Sequence, residues 1–270
     1  MPEASNGLSP FRRDAPDTAP PYPAAVFRKT TAVDWPGRIA AALFLPGCGL
    51  RCPWCQNREL VLPAASGLLL PPGMRSLESA LAHLEKRRAV LGGVVISGGE
   101  PTAHPALPAL IAALHEQGFP VKLDTNGMNP RVLAALFRDA RARPDYIALD
   151  LKVAPERYGE LAPGKTGQSD AGKRLTESAR LIAGTDIQRE YRSLALPDGA
   201  FGAADIAALA PLAAGGPWVF RRFVPGNCLD PAWNARGAAA ELPELFAAAA
   251  RKLGANGIAQ SYTSPQRAGH

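Results

Sequence analysis

Residues 93–151 run GVVISGGEPTAHPALPALIAALHEQGFPVKLDTNGMNPRVLAALFRDARARPDYIALDL, and two patterns alternate along them. GVVIS (93–97), PVKLD (120–124) and DYIALDL (145–151) are short apolar runs of strand character. Between them, PALPALIAALHEQ (105–117) and PRVLAALFRDAR (130–141) repeat apolar residues every three or four positions, as an amphipathic helix does. Pro130 behind Asn129 suits a first-turn proline after a capping residue. Outward from this stretch the alternation continues. Further strands fall at RIAAALFL (38–45), IQREYRSLAL (187–196) and PWVFRRFV (217–224), and helices at 76–91, 171–183 and 203–214. A last helix at 241–253 carries Leu242, Leu245, Phe246 and Leu253 at core spacing. Six strands separated by helices predict an α/β fold, a parallel sheet covered by helices. With right-handed crossovers this is either a doubly wound sheet or a full or partial (β/α) barrel, and periodicity leaves both open.

The 270 residues suffice for one sizeable core, and 47% apolar with 20% charged residues is ordinary globular usage. Residues 1–24 hold Pro2, Pro10, Pro16, Pro20, Pro21 and Pro23, which reads as a flexible leader. A single domain over 25–262 and a frayed tail at 263–270 complete the expected organisation. No apolar run approaches the ~20 residues of a membrane helix, and the N-terminus lacks the apolar core of a signal peptide. The expectation is a cytoplasmic protein without membrane contact. The 30 Lys and Arg against 24 Asp and Glu give a mild excess of +6. These basic residues are scattered, with no stripe interleaved with aromatics, so no nucleic-acid partner is expected.

On this scheme the polar residues gather at one place. GGEP (98–101) follows the second of the six strands, Asp124, Thr125, Asn126 and Gly127 end the third, Asp150 and Lys152 end the fourth, and Arg192 lies near the end of the fifth. The loop after the first strand holds Cys48, Cys52 and Cys55. All of these map to the C-terminal edge of the sheet, where α/β folds bind ligands.

The cysteines carry the chemistry. Cys48-Gly-Leu-Arg-Cys52-Pro-Trp-Cys55 has gaps of three and two residues on a Gly- and Pro-rich loop. A structural zinc site wants four ligands, generally from two separated pairs, and no second pair exists. A cuboidal 4Fe–4S cluster normally takes four cysteines, so three would leave one iron open to a small molecule. Cys228, in the separate loop FVPGNCLDP, is read as a buried small residue rather than a ligand. His83 and His115 read as surface or packing residues and His104 as a cap.

The C-x3-C-x2-C spacing with Trp54 before the third cysteine, followed 43 residues later by GGEP, resembles the radical S-adenosylmethionine (SAM) superfamily. The resemblance covers about residues 26–260 and implies a partial (β/α)6 barrel. More narrowly, AVDWPGRIAAALFLPGCGLRCPWCQNREL is similar to the start of the glycyl-radical-enzyme activating proteins, in particular activators of anaerobic ribonucleoside-triphosphate reductase. Asp34, Pro36 and Gly37, the LDTNG strand end, and Asp150 with Lys152 match that pattern, and FVPGNCLDP resembles its segment beside the adenosine. Gln56 departs from it, standing where histidine is usual.

The resemblance implies an oxidoreductase that reductively cleaves SAM to a 5′-deoxyadenosyl radical. Its cluster would sit on Cys48, Cys52 and Cys55, and the cofactor's methionine would chelate the open iron. Gly98 and Gly99 would let backbone approach the cofactor, with Glu100 at its ammonium and Trp54 at its adenine. Asn126 would meet the ribose, and Lys152 and Arg192 the carboxylate. Two carboxylates at neighbouring strand ends need a positive charge between them. The family's candidate is a monovalent cation on Asp124, Thr125 and Asp150; an ion pair with Lys152 is the alternative. The implied partners are a glycyl-radical enzyme as substrate and a flavodoxin or ferredoxin as electron donor. No second cysteine-rich insertion lies between Cys55 and GGEP, so one cluster suffices. Two rivals remain: a radical enzyme acting on a small molecule, such as the deazaguanine-forming synthases, and a non-catalytic metal or iron–sulfur module. The synthases usually follow the third cysteine with Asp-Ser or Asp-Thr, which Gln56-Asn57 does not reproduce.

Overall fold

The segment AAALFL forms strand β2, and its burial on both faces shows why the sequence there is a continuous apolar run. The computed structural model describes residues 25–61, 74–163, 170–237, 247–249, 251–252 and 259–262. The leader 1–24 and the tail 263–270 lie outside these. Of the helix expected at 241–253, residues 247–249 and 251–252 are helical, and the others fall outside the described residues.

The chain opens with β1 (Ala25–Thr31), β2 (Ala40–Leu45), α1 (Arg58–Val61), β3 (Met74–Arg75) and α2 (Leu77–Lys86). It continues through β4 (Val94–Gly98), α3 (Leu107–Glu116), β5 (Val121–Thr125), α4 (Pro130–Arg138) and β6 (Tyr146–Asp150). Then come α5 (Tyr158–Leu161), α6 (Ala171–Ala183), β7 (Gln188–Ala195), α7 (Ala203–Leu209), β8 (Trp218–Arg222) and β9 (Ala259–Tyr262). The helices follow their amphipathic pattern. In α2, Ser76 caps the first turn through its hydroxyl, and Leu77, Ala80, Leu81 and Leu84 form the buried stripe. Pro130 starts α4, but the Asn129 side chain makes no cap; it reaches across to Thr102 Oγ1 at 3.0 Å instead. The helix expected at 203–214 becomes α7 and a 3-10 turn at Ala210–Leu212, because Pro211 has no N–H to continue the ladder.

The sheet order is β3-β1-β2-β4-β5-β6-β7-β8-β9. From β2 onward every pairing is parallel, giving seven parallel strands, while β1 runs antiparallel to both its neighbours. Strand order never reverses along this run, so there is no switch point of the doubly wound kind. Right-handed crossovers then all step the same way and leave the helices on one face, which is the partial barrel. Strands β1, β3 and β9 extend the expected six.

Two cores result. Leu43, Ile96, Leu123 and Leu149 pack outward against Leu84, Leu114, Leu133 and Leu175 of the helices. On the inner face Trp35, Ala40, Ala42 and Val95 cluster with Phe44 and Tyr146. Trp35 thereby fills the lumen, and a side chain on Gly93 would meet its ring at 2.7 Å. Among the described residues no helix is long and apolar enough to cross a membrane.

Candidate active site

The loop after β2 carries the three cysteines and is held from three sides. Toward β4, Gly99 N–H donates to Leu45 O at 2.8 Å, Glu100 N–H to Gly47 O at 2.7 Å, and Asn57 Nδ2 to Gly98 O at 3.0 Å. Beneath α5, Arg51 N–H donates to Leu161 O at 2.7 Å. From the far end of the chain, Leu229 N–H reaches Cys55 O at 2.8 Å, Asp230 N–H reaches Pro53 O at 3.0 Å, and Gln56 Nε2 donates to Val224 O. Trp54 lies against Trp233 with ring centroids 5.2 Å apart. The segment 224–233 is thus a clasp on the cysteine loop. Gly98, at φ 124°, and Gly99 have a reason different from room for a ligand. A Cβ on Gly98 would collide with the Leu45 backbone, and one on Gly99 with the Gly47 carbonyl.

All three thiols are free and line one cavity. Cys52 is 6% exposed, and Cys48 and Cys55 are half-buried. Burial pushes the Cys52 thiol up to about 12 and raises Cys48 and Cys55 as well. Leu50 N–H points at Cys48 Sγ at 3.3 Å and Asn126 Nδ2 lies 3.6 Å from the same sulfur. Buried thiols that already face N–H donors suit a centre that binds them as thiolates, since the donors and a metal's charge replace the lost water. Among the described residues no three His, Cys, Asp or Glu side chains converge on a single ion. Three thiols on one loop, with no fourth cysteine lining the cavity, fall short of the four ligands of a structural zinc ion and match a 4Fe–4S cluster with one iron left open.

Glu100 is 1% exposed and fully engaged. Its Oε1 accepts from Thr102 N at 3.1 Å, from Thr125 Oγ1 at 2.7 Å and from Thr102 Oγ1, and its Oε2 accepts from Asn126 N at 2.7 Å. It caps the 3-10 turn at Pro101–Ala103 and ties the β4 loop to the β5 loop. Burial raises its carboxyl against the pull of these bonds. Asn126, placed at the ribose by sequence, stands beside Cys48.

Below the cavity the lumen is ionic. Arg192 Nη1 contacts Asp124 Oδ2 at 2.9 Å and its Nε contacts Asp150 Oδ1 at 2.9 Å. Lys152 Nζ lies 3.0 Å from Asp150 Oδ2, and Lys122 Nζ lies 2.5 Å from Asp124 Oδ1 and 3.3 Å from Glu190 Oε1. Tyr146 O–H donates to Glu190 Oε2 at 3.3 Å. Burial alone would raise both aspartates, but Arg192 with Lys152 holds Asp150 far below the usual range, and Arg192 with Lys122 lowers Asp124. The cation expected on Asp124, Thr125 and Asp150 thus meets a guanidinium already between the two carboxylates. Lys122 and Glu190 were not singled out from sequence, although each sits two residues from an opposite charge on the same strand face.

The cavity measures ≈ 280 Å³. Besides the expected residues it is lined by Asp34, Ser97, Gln56, Asn57 and Arg221. Asp34 is held by Arg28 Nη1 at 3.1 Å and by Thr31 Oγ1 at 2.7 Å. Cys228 is buried and does not line the cavity, its N–H donating to Asn234 Oδ1 at 2.9 Å.

A fold wound in one direction, with a cysteine loop and a glycine turn at the C-terminal edge of its sheet, defines a class. Residues 43–171 match the radical SAM superfamily model. A Methanocaldococcus jannaschii protein named as a glycyl-radical enzyme activating enzyme is 28% identical over 168 residues, 62% of this chain and 65% of that protein. A 7-carboxy-7-deazaguanine synthase of Aquifex aeolicus is 40% identical over 83 residues, 31% of this chain and 34% of the synthase. The matches therefore span less than two thirds of these relatives. Among solved structures, a radical SAM methyltransferase from Sphaerobacter thermophilus superposes with a TM-score of 0.58 at 16% identity, covering 85% of this chain and 67% of that one. At that identity the likeness shows the fold alone.

Proposed function

We propose that this chain is a radical SAM enzyme that takes a hydrogen atom from a backbone glycine of a partner protein, the partner being an anaerobic ribonucleoside-triphosphate reductase. The observation that supports this reading is the filled lumen: Trp35, Tyr146 and the ion pairs occupy the barrel beneath the cavity. A second reactant then reaches the cavity from the rim, as a segment of polypeptide does. A glycine suits the role because its Cα radical is delocalised into both flanking amides and no side chain hinders approach.

Cys48, Cys52 and Cys55 would hold a 4Fe–4S cluster, which with SAM on its open iron supplies the electron for a 5′-deoxyadenosyl radical. The chain's residues position and shield. Lys152 lines the cavity with its ammonium on Asp150, and its remaining N–H donors would serve an incoming carboxylate. Both Glu100 oxygens are spent on Thr102, Thr125 and Asn126, so the cofactor's ammonium falls to backbone carbonyls of the glycine turn. The clasp at 224–233 covers the cysteine loop and keeps water from it. A small acidic flavodoxin or ferredoxin suits the +6 chain as electron donor.

The identity to the Aquifex synthase favours a second reading, a small-molecule substrate. Against it, Gln56 and Asn57 are amides, each already donating to a backbone carbonyl, and offer no carboxylate to a magnesium ion. The test is anaerobic reconstitution with iron and sulfide, then dithionite and SAM, with 5′-deoxyadenosine and methionine followed by mass spectrometry. A glycyl-radical reductase is then added, and its glycyl signal is sought by electron paramagnetic resonance. A glycyl signal supports the proposal. Turnover of a deazaguanine precursor without that signal moves the assignment to the second reading. A loaded protein that forms no 5′-deoxyadenosine overturns both.

A further inference from the structure

The charges inside the barrel close on themselves. Lys122, Arg192 and Lys152 face Asp124, Glu190 and Asp150 in one connected set, three cations against three carboxylates. Arg192 is its centre and is 11% exposed. It extends from β7 across the tip of β6 to the tip of β5. Asp150 is its register neighbour on β6, and Asp124 lies one strand further. Its fork takes Asp150 through Nε and Nη2 and Asp124 through Nη1, each at 2.9 Å. A guanidinium is built for this: planar, always charged, and with several donors in fixed directions.

We infer that Arg192 is the internal cation of this barrel mouth, standing where a monovalent ion would otherwise lie between Asp124 and Asp150, and that the chain takes no alkali ion there. Two further observations carry the inference. The third residue of the expected cation site is already engaged, since Thr125 Oγ1 donates to Glu100 at 2.7 Å and accepts from Gly127 N at 3.1 Å. The charge set is also already neutral. An added alkali ion would leave a net positive charge beside the Arg192 guanidinium, which is 11% exposed, and like charges that close repel. Arg192 is in this sense a positioning residue: it fixes the tips of β5, β6 and β7 beside the cysteine loop. The inference stands whichever molecule receives the radical.

The experiment uses the full-length protein without reconstitution. Melting temperatures are measured in lithium, sodium, potassium and choline chloride at equal ionic strength, for the wild type, R192K and R192M. Thallium NMR of the wild type gives a direct probe of monovalent-ion binding. The wild type is expected to melt at one temperature in all four salts and to leave the thallium line unbroadened. R192M is expected to melt lower by on the order of 10 °C in choline, and to recover part of that in one of the alkali salts. R192K keeps a charge in place and is expected to stay indifferent to the salt. Saturable thallium binding or a potassium-dependent rise in the wild type overturns the inference, and needs no folded variant. A folded R192M that ignores every alkali ion overturns it too, because the vacated place would then not be a cation's.

Discussion

Glu100 Oε2 accepts the backbone N–H of Asn126 at 2.7 Å, and this bond joins the turn after β4 to the turn after β5 directly under the cysteine loop. Asn126 in turn presents its side-chain amide to Cys48 Sγ at 3.6 Å. One buried carboxylate therefore sets the position of a donor that faces a proposed cluster ligand.

Glu100→Gln keeps the shape but replaces one acceptor oxygen with an NH2 that faces donors. The cost is expected at about 2 kcal/mol, in the range for hydrogen bonds to a charged group that lose their partner. Urea unfolding of the protein without cluster checks this. An unchanged midpoint would show that the four bonds contribute little.

Gly99→Ala brings a methyl group onto the Gly47 carbonyl, which is backbone and cannot swing aside. The strand and the cysteine loop must separate, at roughly 1–3 kcal/mol. Because that loop carries the thiols, the variant should also hold less iron after reconstitution than the wild type. Iron and sulfide assays on the folded variant test this, and full loading would sink the account of why glycine stands there.

Cys48→Ser, Cys52→Ser and Cys55→Ser should each lower iron retention well below about four irons per chain. Cys228→Ala should retain the wild-type iron content, since that thiol is buried within the clasp and does not line the cavity. Loss of iron in Cys228→Ala would make it a ligand and defeat the three-cysteine assignment.

Much of this was legible in the sequence. The helix expected at 171–183 matches α6, because its apolar stripe at Leu175, Ala179 and Ile182 has nowhere to go but the sheet. The six inner strands announced themselves as short runs of strand character between helical stretches. Strand β1 did not: AVFRKTT alternates weakly, is only partly buried along its middle, and borders the proline-rich leader. The ionic lumen was hidden in plain alternation. Lys122 with Asp124 and Glu190 with Arg192 are opposite charges two residues apart on one strand, so each pair shares a strand face, and Lys152 follows Asp150 just past the end of β6. That Arg192 would take both aspartates depends on strand neighbours, which spacing along one chain does not give.

His115 supplies a pH-dependent prediction far from the cysteines. Its Nε2 lies 3.0 Å from Asp145 Oδ2 and its Nδ1 lies 3.0 Å from Arg141 O, so both ring nitrogens face acceptors and the imidazolium is favoured. The Asp145 hydrogen bond raises the imidazole above its ordinary 6.5, against partial burial, and with the Arg141 carbonyl as a further cause. Partial burial would raise Asp145, yet His115 and Val121 N–H hold it below its ordinary 3.8. For the raised histidine, the stabilisation is whole below pH 6.5 and fades as pH climbs through the folded value. For the lowered aspartate, it is whole above pH 3.8 and fades as pH falls through the folded value. The pair thus ties α3 to the entrance of β6 most firmly between those limits. With Asp145 half exposed, screening limits the gain to about 0.5–1 kcal/mol. His115→Ala should cost about that much at pH 5.5 and less at pH 9, measured as paired urea midpoints. An equal loss at both values would mean that the ring contributes packing and no charge.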